Sequence, residues 1–245
     1  MKKIAFTISD NNNLKYAKDM EKTLRKFHSE EELPLLIVSG DDLNKRLALD
    51  PFFFYRATPV IASELTDYDV IIKIDADSFI TGDLSDAWKT PSDVSVVLNS
   101  NPKEATVFPY TIWDIPMHEY VNCGFVVMKD KKFIEHWKKL CYSPHFGSYQ
   151  MREQDLLNIL VQYGDYDVEL LDASEGFFGL ASKGYWQYIT EEKGRLILNP
   201  TEDGYPPVSK IIKVIHFAGG NDPSKGNYRI KFKPEVVKHI DKLIK

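Results

Sequence analysis

The chain has 245 residues, 43% of them apolar, enough for a full core in one large α/β domain or two small ones, and a single domain spanning 1–245 is the expectation. A formal net charge of −5 and a pI near 5.7 provide no broad basic field for a polyanion, so nucleic acid is excluded as an expected partner. Two cysteines, Cys123 and Cys141, make neither a disulfide framework nor a metal-binding spacing, so each is expected as a buried thiol in a reducing, cytoplasmic setting.

The chain opens Met1-Lys2-Lys3, but the apolar stretch that follows stops at Ser9, too short for a signal peptide, and no other segment approaches membrane-spanning length. Ile4 to Ile8 reads as a strand. Leu14 to Phe27 reads as an amphipathic helix, with Leu14, Ala17, Met20 and Leu24 at helical spacing. Leu33 to Val38 is a second strand, so the opening is β-α-β, the signature of a parallel sheet with helices on its faces. Helical content from Asp50 to Leu65 is expected to break or kink at Pro59. Val70 to Ile74 is a continuous apolar strand of the doubly buried kind, and a short helix is expected near Asp83 to Trp88. Strands follow at Val94 to Leu98 and Gly124 to Met128, then helices at Lys131 to Leu140 and Arg152 to Gln162. A late strand at Ile211 to Ile215 leads to a Gly/Asn/Pro/Ser loop and a lysine-rich helix from Pro234 to Leu243, within a C-terminal stretch of about 233–245.

Asp-x-Asp occurs three times, at Asp67/Asp69, Asp75/Asp77 and Asp165/Asp167. Ligands of open parallel sheets bind outside the carboxyl ends of the strands, and only Asp75/Asp77 follows a strand there. If extended geometry persists through Asp77, the two carboxylates share a face about 6.6 Å apart along the backbone. At an effective dielectric of about 20, carboxylates about 5 Å apart repel by roughly 3 kcal/mol, a cost that a cation removes. The bland alternative is that Asp75 caps the short helix or closes a turn while Asp77 is merely solvated. His216, placed at the carboxyl edge of the late strand, repeats the arrangement. Two carboxylates and an imidazole, with sites left open, suit Mn²⁺ or Mg²⁺ better than Ca²⁺, and a metal open to anionic oxygens points to a diphosphate.

With these residues in view, the sequence resembles the family 8 retaining glycosyltransferases, the group containing glycogenin and bacterial lipopolysaccharide galactosyltransferases. The blocks that carry the resemblance are FTIS at Phe6 to Ser9, YRATPVIASELTDYDVIIKIDAD at Tyr55 to Asp77, VNCGFVVM at Val121 to Met128, and EQDLLN at Glu153 to Asn158 followed by IHFAG at Ile215 to Gly219. The resemblance implies a GT-A, Rossmann-like α/β fold with a mainly parallel central sheet. It implies a nucleotide sugar donor, UDP-linked first, a glycan or other hydroxyl acceptor, and Mn²⁺ or Mg²⁺ on Asp75, Asp77 and His216. It also implies that Ala76, Thr7 and Ser9 line the nucleotide pocket, that Arg56 contacts sugar or diphosphate, and that Asn122 and Gly124, an N-x-G turn, line the sugar pocket. Glu153 and Gln154 would lie by the donor sugar, and Gly219 by the diphosphate. Plain readings stand beside these: strand-end hydroxyls for Thr7 and Ser9, a surface helix charge for Arg56, an ordinary turn for Asn122 and Gly124.

Two departures from the family pattern are visible. Glu153 stands where the family's usual acid is Asp, which bears on the sugar accepted. Asp222 stands where the family often has Lys six residues after the metal-binding His, and Lys225 is the nearest substitute. The loop Gly219 to Asn227 has the composition of a mobile lid. The acceptor is expected at the loop Asn99 to Tyr120, where Tyr110, Trp113 and His118 either stack on sugar rings or pack on the core. The C-terminal helix reads first as an ordinary packed helix and second as a weak contact to an anionic membrane surface. The rivals are a haloacid-dehalogenase-like phosphatase, because DADSF resembles that fold's nucleophile strand, and a nucleotide-sugar-binding protein without turnover.

Overall fold

The computed structural model describes residues 1–99, 115, 119–173, 176–180, 186–202, 204, 206–217 and 228–245. Two sheets organise them. The larger uses β1 (Lys3–Ile8), β2 (Leu35–Val38), β3 (Val70–Ile74), β5 (Val94–Leu98), β6 (Val121–Met128) and β7 (Val168–Leu170), in the order β2-β1-β3-β6-β5-β7. β1 pairs in parallel with β2 and β3, and β5 with β7, while β6 runs antiparallel to both of its neighbours. Only β6 is therefore reversed, and the expected mainly parallel sheet is present. The smaller sheet places β11 (Lys210–His216) between β4 (Ser78–Ile80) and β10 (Arg195–Leu198), with β9 (Ile189–Glu192) beyond β10 and β8 (Gly176–Leu180) pairing in parallel with β11.

Strand alternation divides the core. Ile4, Phe6 and Ile71 pack with α3 (Phe53–Glu64), α5 (Lys131–Cys141) and α6 (Glu153–Tyr163) on one face through Ala57, Ile61, Trp137, Leu156 and Leu157. Ala5, Val70, Ile72 and Ile74 pack on the other face against Met20 and Leu24 of α1 (Leu14–Arg25) and Trp88 of α4 (Asp86–Lys89). A third cluster joins the smaller sheet to α7 (Pro234–Ile244) through Phe79, Leu196, Ile215, Val236 and Ile240. With Val236 and Ile240 fully buried, the plain reading of the C-terminal helix holds: it packs. No helix among the described residues is long and apolar enough to cross a membrane.

Several expectations are corrected. Pro59 does not break α3, which continues past it to Glu64; the missing N–H forfeits one ladder bond, to the carbonyl of exposed Tyr55, while Ala57, Thr58, Pro59, Ile61 and Ala62 bury the helix. A helix over Gly40–Leu49, α2, is present where none was expected; its apolar face is thin, with Leu43 alone buried. β6 begins at Val121, so Asn122 and Gly124 lie within a strand and form no turn leading into one. The β9-β10 hairpin turns on Lys193 and Gly194, both with positive φ (51° and 81°), the two-residue geometry that favours glycine. Cys141 is buried as expected, but Cys123 is only partly so.

Candidate functional site

β3 ends at Ile74, and the chain does not remain extended. The Ser78 amide donates to the Asp75 carbonyl at 3.1 Å, closing a turn over Asp75 to Ser78 that brings the two carboxylates together. β4 then leaves in the smaller sheet, where Ser78 lies opposite His216 of β11, and the Phe217 amide donates to the Asp77 carbonyl at 3.0 Å. A residue far along the chain thus reaches the acid pair because one short strand changes sheets immediately after the turn.

The His216 Nε2 atom lies 3.2 Å from Asp75 Oδ2 and 3.2 Å from Asp77 Oδ1, and one ligand atom from each of the three residues falls within 4.8 Å of the others. Adjacent ligands of an octahedral ion with bonds of about 2.1 Å are separated by about 3 Å, so these spacings suit a divalent cation held by two carboxylates and an imidazole. Burial opposes the charged imidazole, but the Asp77 and Asp75 carboxylates outweigh it and hold His216 up at about 9. Asp75 moves the other way: burial favours its neutral form, and the Lys73 ammonium and His216 hold the carboxyl well below the usual range.

Lys73 has no role in the motifs above, yet it is 3% exposed inside β3 and donates to Asp75 Oδ1 and, at 2.6 Å, to the Cys123 carbonyl. Its signal was available: a lysine in an otherwise apolar, fully buried strand needs a partner. Burial disfavours its charge, but Asp75 outweighs that and raises its pKa.

Gly124 is where β6 meets the imidazole. A Cβ there would collide with the His216 ring and come within 2.6 Å of Asn122 Oδ1, so only glycine lets the ring lie against the strand. Asn122 Oδ1 accepts from the Gly124 amide at 2.6 Å, while its Nδ2 donates to Gln154 Oε1 at 3.1 Å and to Asn99 Oδ1 at 2.9 Å. Gln154 Oε1 also accepts from the Cys123 amide at 3.1 Å. Asn158 on α6 brackets Val121, accepting from its amide at 2.7 Å and donating to its carbonyl at 2.9 Å. Glu153 opens α6 after Arg152, whose φ of 52° is in the left-handed region and whose guanidinium donates to the Gly147 and Tyr149 carbonyls at 2.5 and 2.9 Å. Burial pushes the Glu153 carboxyl up to about 8, with the Lys73 charge lowering it and Asp75 raising it.

Thr7 and Ser9 are buried at the carboxyl end of β1, beside β3. Ser9 Oγ donates to the Asp10 carbonyl at 3.1 Å, but Thr7 Oγ1 has no partner among the described residues. Arg56 is engaged elsewhere: its Nη1 donates to both Asp50 carboxylate oxygens at 3.0 Å, and its guanidinium lies 4.6 Å from the Phe146 ring centroid and 4.9 Å from that of Tyr142. Gly219, Asp222, Lys225 and the loop that holds them, together with Tyr110, Trp113 and His118, lie outside the described residues.

No protein-family model and no curated protein matches the sequence. Solved structures do match. The galactosyltransferase LgtC, solved with donor and acceptor sugar analogues, is 14% identical with a TM-score of 0.61, over 98% of this chain and 95% of that one. The glycosyltransferase GlyE of Streptococcus pneumoniae is 13% identical with a TM-score of 0.55, over 99% of this chain and 63% of that one, so the chain spans less than two thirds of GlyE. Mouse xyloside xylosyltransferase 1 is 10% identical with a TM-score of 0.56, over 91% of this chain and 99% of that one. At these identities the likeness is one of architecture: the chain has the GT-A fold of these glycosyltransferases.

Proposed function

We propose that the protein is a metal-dependent glycosyltransferase of the family 8 kind. It would move a sugar from a nucleotide diphosphate sugar, a UDP-sugar first among these, to a hydroxyl of a glycan or other acceptor, with the anomeric configuration retained. The observation that carries the reading is the convergence of Asp75, Asp77 and His216 at the carboxyl end of β3, within a fold shared with solved glycosyltransferases. Mn²⁺ or Mg²⁺ held by these three residues would supply Lewis-acid stabilisation of the charge that grows on a leaving diphosphate.

The chain's own groups divide the remaining work. Thr7 Oγ1, buried without a partner among the described residues, is suited to a hydrogen bond with the nucleoside, and Ser9 and Ala76 would complete that pocket. Asn122, Gly124 and Gln154, tied to one another across β6 and α6, would form the wall of the sugar pocket. Glu153, whose carboxyl burial pushes up, would border the donor sugar. Gly219 and Lys225 remain in the proposed diphosphate site, and Arg56 would have to leave Asp50 to join it. No protein base is assigned, because in the family scheme the leaving phosphate accepts the acceptor's proton. A single domain over 1–245 and a cytoplasmic location complete the proposal.

A panel of nucleotide sugars tests it. Wild type should release nucleoside diphosphate from one of them only when Mn²⁺ or Mg²⁺ is added. Asp77→Asn should lose Mn²⁺-dependent UDP binding in calorimetry while keeping its thermal melt, since Asp77 lies in a partly exposed turn. Unchanged UDP binding in that variant would remove the metal site. Turnover of a phosphomonoester instead would favour the phosphatase, and binding of a donor without any turnover would favour a binding protein.

A further inference from the structure

Lys73 is the one charged residue of β3, and its environment is costly for an ammonium. All five residues of the strand are buried, and Lys73 shares the side of the sheet that packs on α3, α5 and α6. A buried ammonium is retained only where its donors are satisfied. Two of its acceptors are Asp75 Oδ1 and the Cys123 carbonyl.

The consequence for Asp75 is a divided carboxylate. Oδ1 is committed to Lys73, while Oδ2 faces His216, 3.2 Å away, inside the cluster of candidate ligands. We propose that Lys73 is a positioning residue that makes Asp75 a one-oxygen metal ligand and sets a permanent positive charge beside the ion, so that the divalent cation is held weakly. This rests on the metal site proposed above. The geometry gives the inference a direction. A cation one carboxylate's width from a second cation repels it through a poorly solvated interior, whereas Lys73 contributes no ligand atom to compensate. A group that merely supported the site would, when removed, loosen the ion. Lys73, when neutralised, should tighten it.

Two substitutions separate charge from packing. Lys73→Gln keeps a hydrogen-bond donor for Asp75 and removes the charge. Lys73→Met removes both at similar volume. Mn²⁺ titrations followed by electron paramagnetic resonance, with no nucleotide present, should show each folded variant binding Mn²⁺ about tenfold or more tightly than wild type. Turnover at saturating Mn²⁺ should fall further in Lys73→Met, where Asp75 loses its anchor, than in Lys73→Gln. Equal or weaker Mn²⁺ binding in Lys73→Gln, with an unchanged circular dichroism spectrum, would overturn the role of Lys73 while leaving the metal site intact. Binding in Lys73→Gln but not in wild type would support it strongly. Absence of Mn²⁺ binding in wild type and both variants would overturn this inference and the metal site together.

Discussion

Gly124→Ala tests the site without altering any candidate ligand. The new methyl group would overlap the His216 imidazole, which is itself only 7% exposed, and would lie 2.6 Å from Asn122 Oδ1. To regain ordinary van der Waals separation the ring must retreat by about 1 Å or more. That movement breaks the 3.2 Å spacing of Nε2 to both Asp75 and Asp77. Mn²⁺ affinity should therefore fall by at least about tenfold, the scale seen when the support of a metal ligand is removed. Overpacking should cost about 1 to 3 kcal/mol of stability, partly offset because alanine restricts the unfolded chain. Gly124 has no positive φ to forbid alanine, so backbone strain does not confuse the result. The assay is a Mn²⁺ titration at a temperature well below the variant's melting point. Unchanged Mn²⁺ affinity in a folded Gly124→Ala protein would refute the placement of His216 against β6, and with it the geometric argument for the metal site.

Two further substitutions probe the pocket and its flank. Glu153→Asp, which restores the commoner acid of the resembled family, should change the relative rates across the donor panel with the same metal dependence; if neither rate nor preference moves, Glu153 does not border the sugar. Arg56→Ala should remove a partly buried ion pair with Asp50 and the ring contacts to Phe146 and Tyr142, costing about 2 kcal/mol and lowering the melt by about 4 to 8 °C. An unchanged melt with a raised KM for the nucleotide sugar would instead assign Arg56 to the donor.

Much of this molecule was written locally. β1, β3, β5 and α5 are found within about two residues of where apolar runs and helical spacing place them, because periodicity reports directly on which side chains face a core. The acid pair was also legible, since a doubly apolar strand ending in two carboxylates is a local pattern. What stayed hidden was non-local. β4 is three residues long, too short for any periodicity, yet its pairing with β11 is what carries His216 to the acids. Of the two geometries open at Asp75 to Asp77, an extended run or a turn, the change of sheet selects the turn. Gly124 could be noticed as a glycine, but its reason is the imidazole packed against it, which comes from β11. Lys73 shows the same division: it stands in an apolar strand two residues before Asp75, but only the tertiary structure brings the Cys123 carbonyl of β6 to share its ammonium with one oxygen of Asp75.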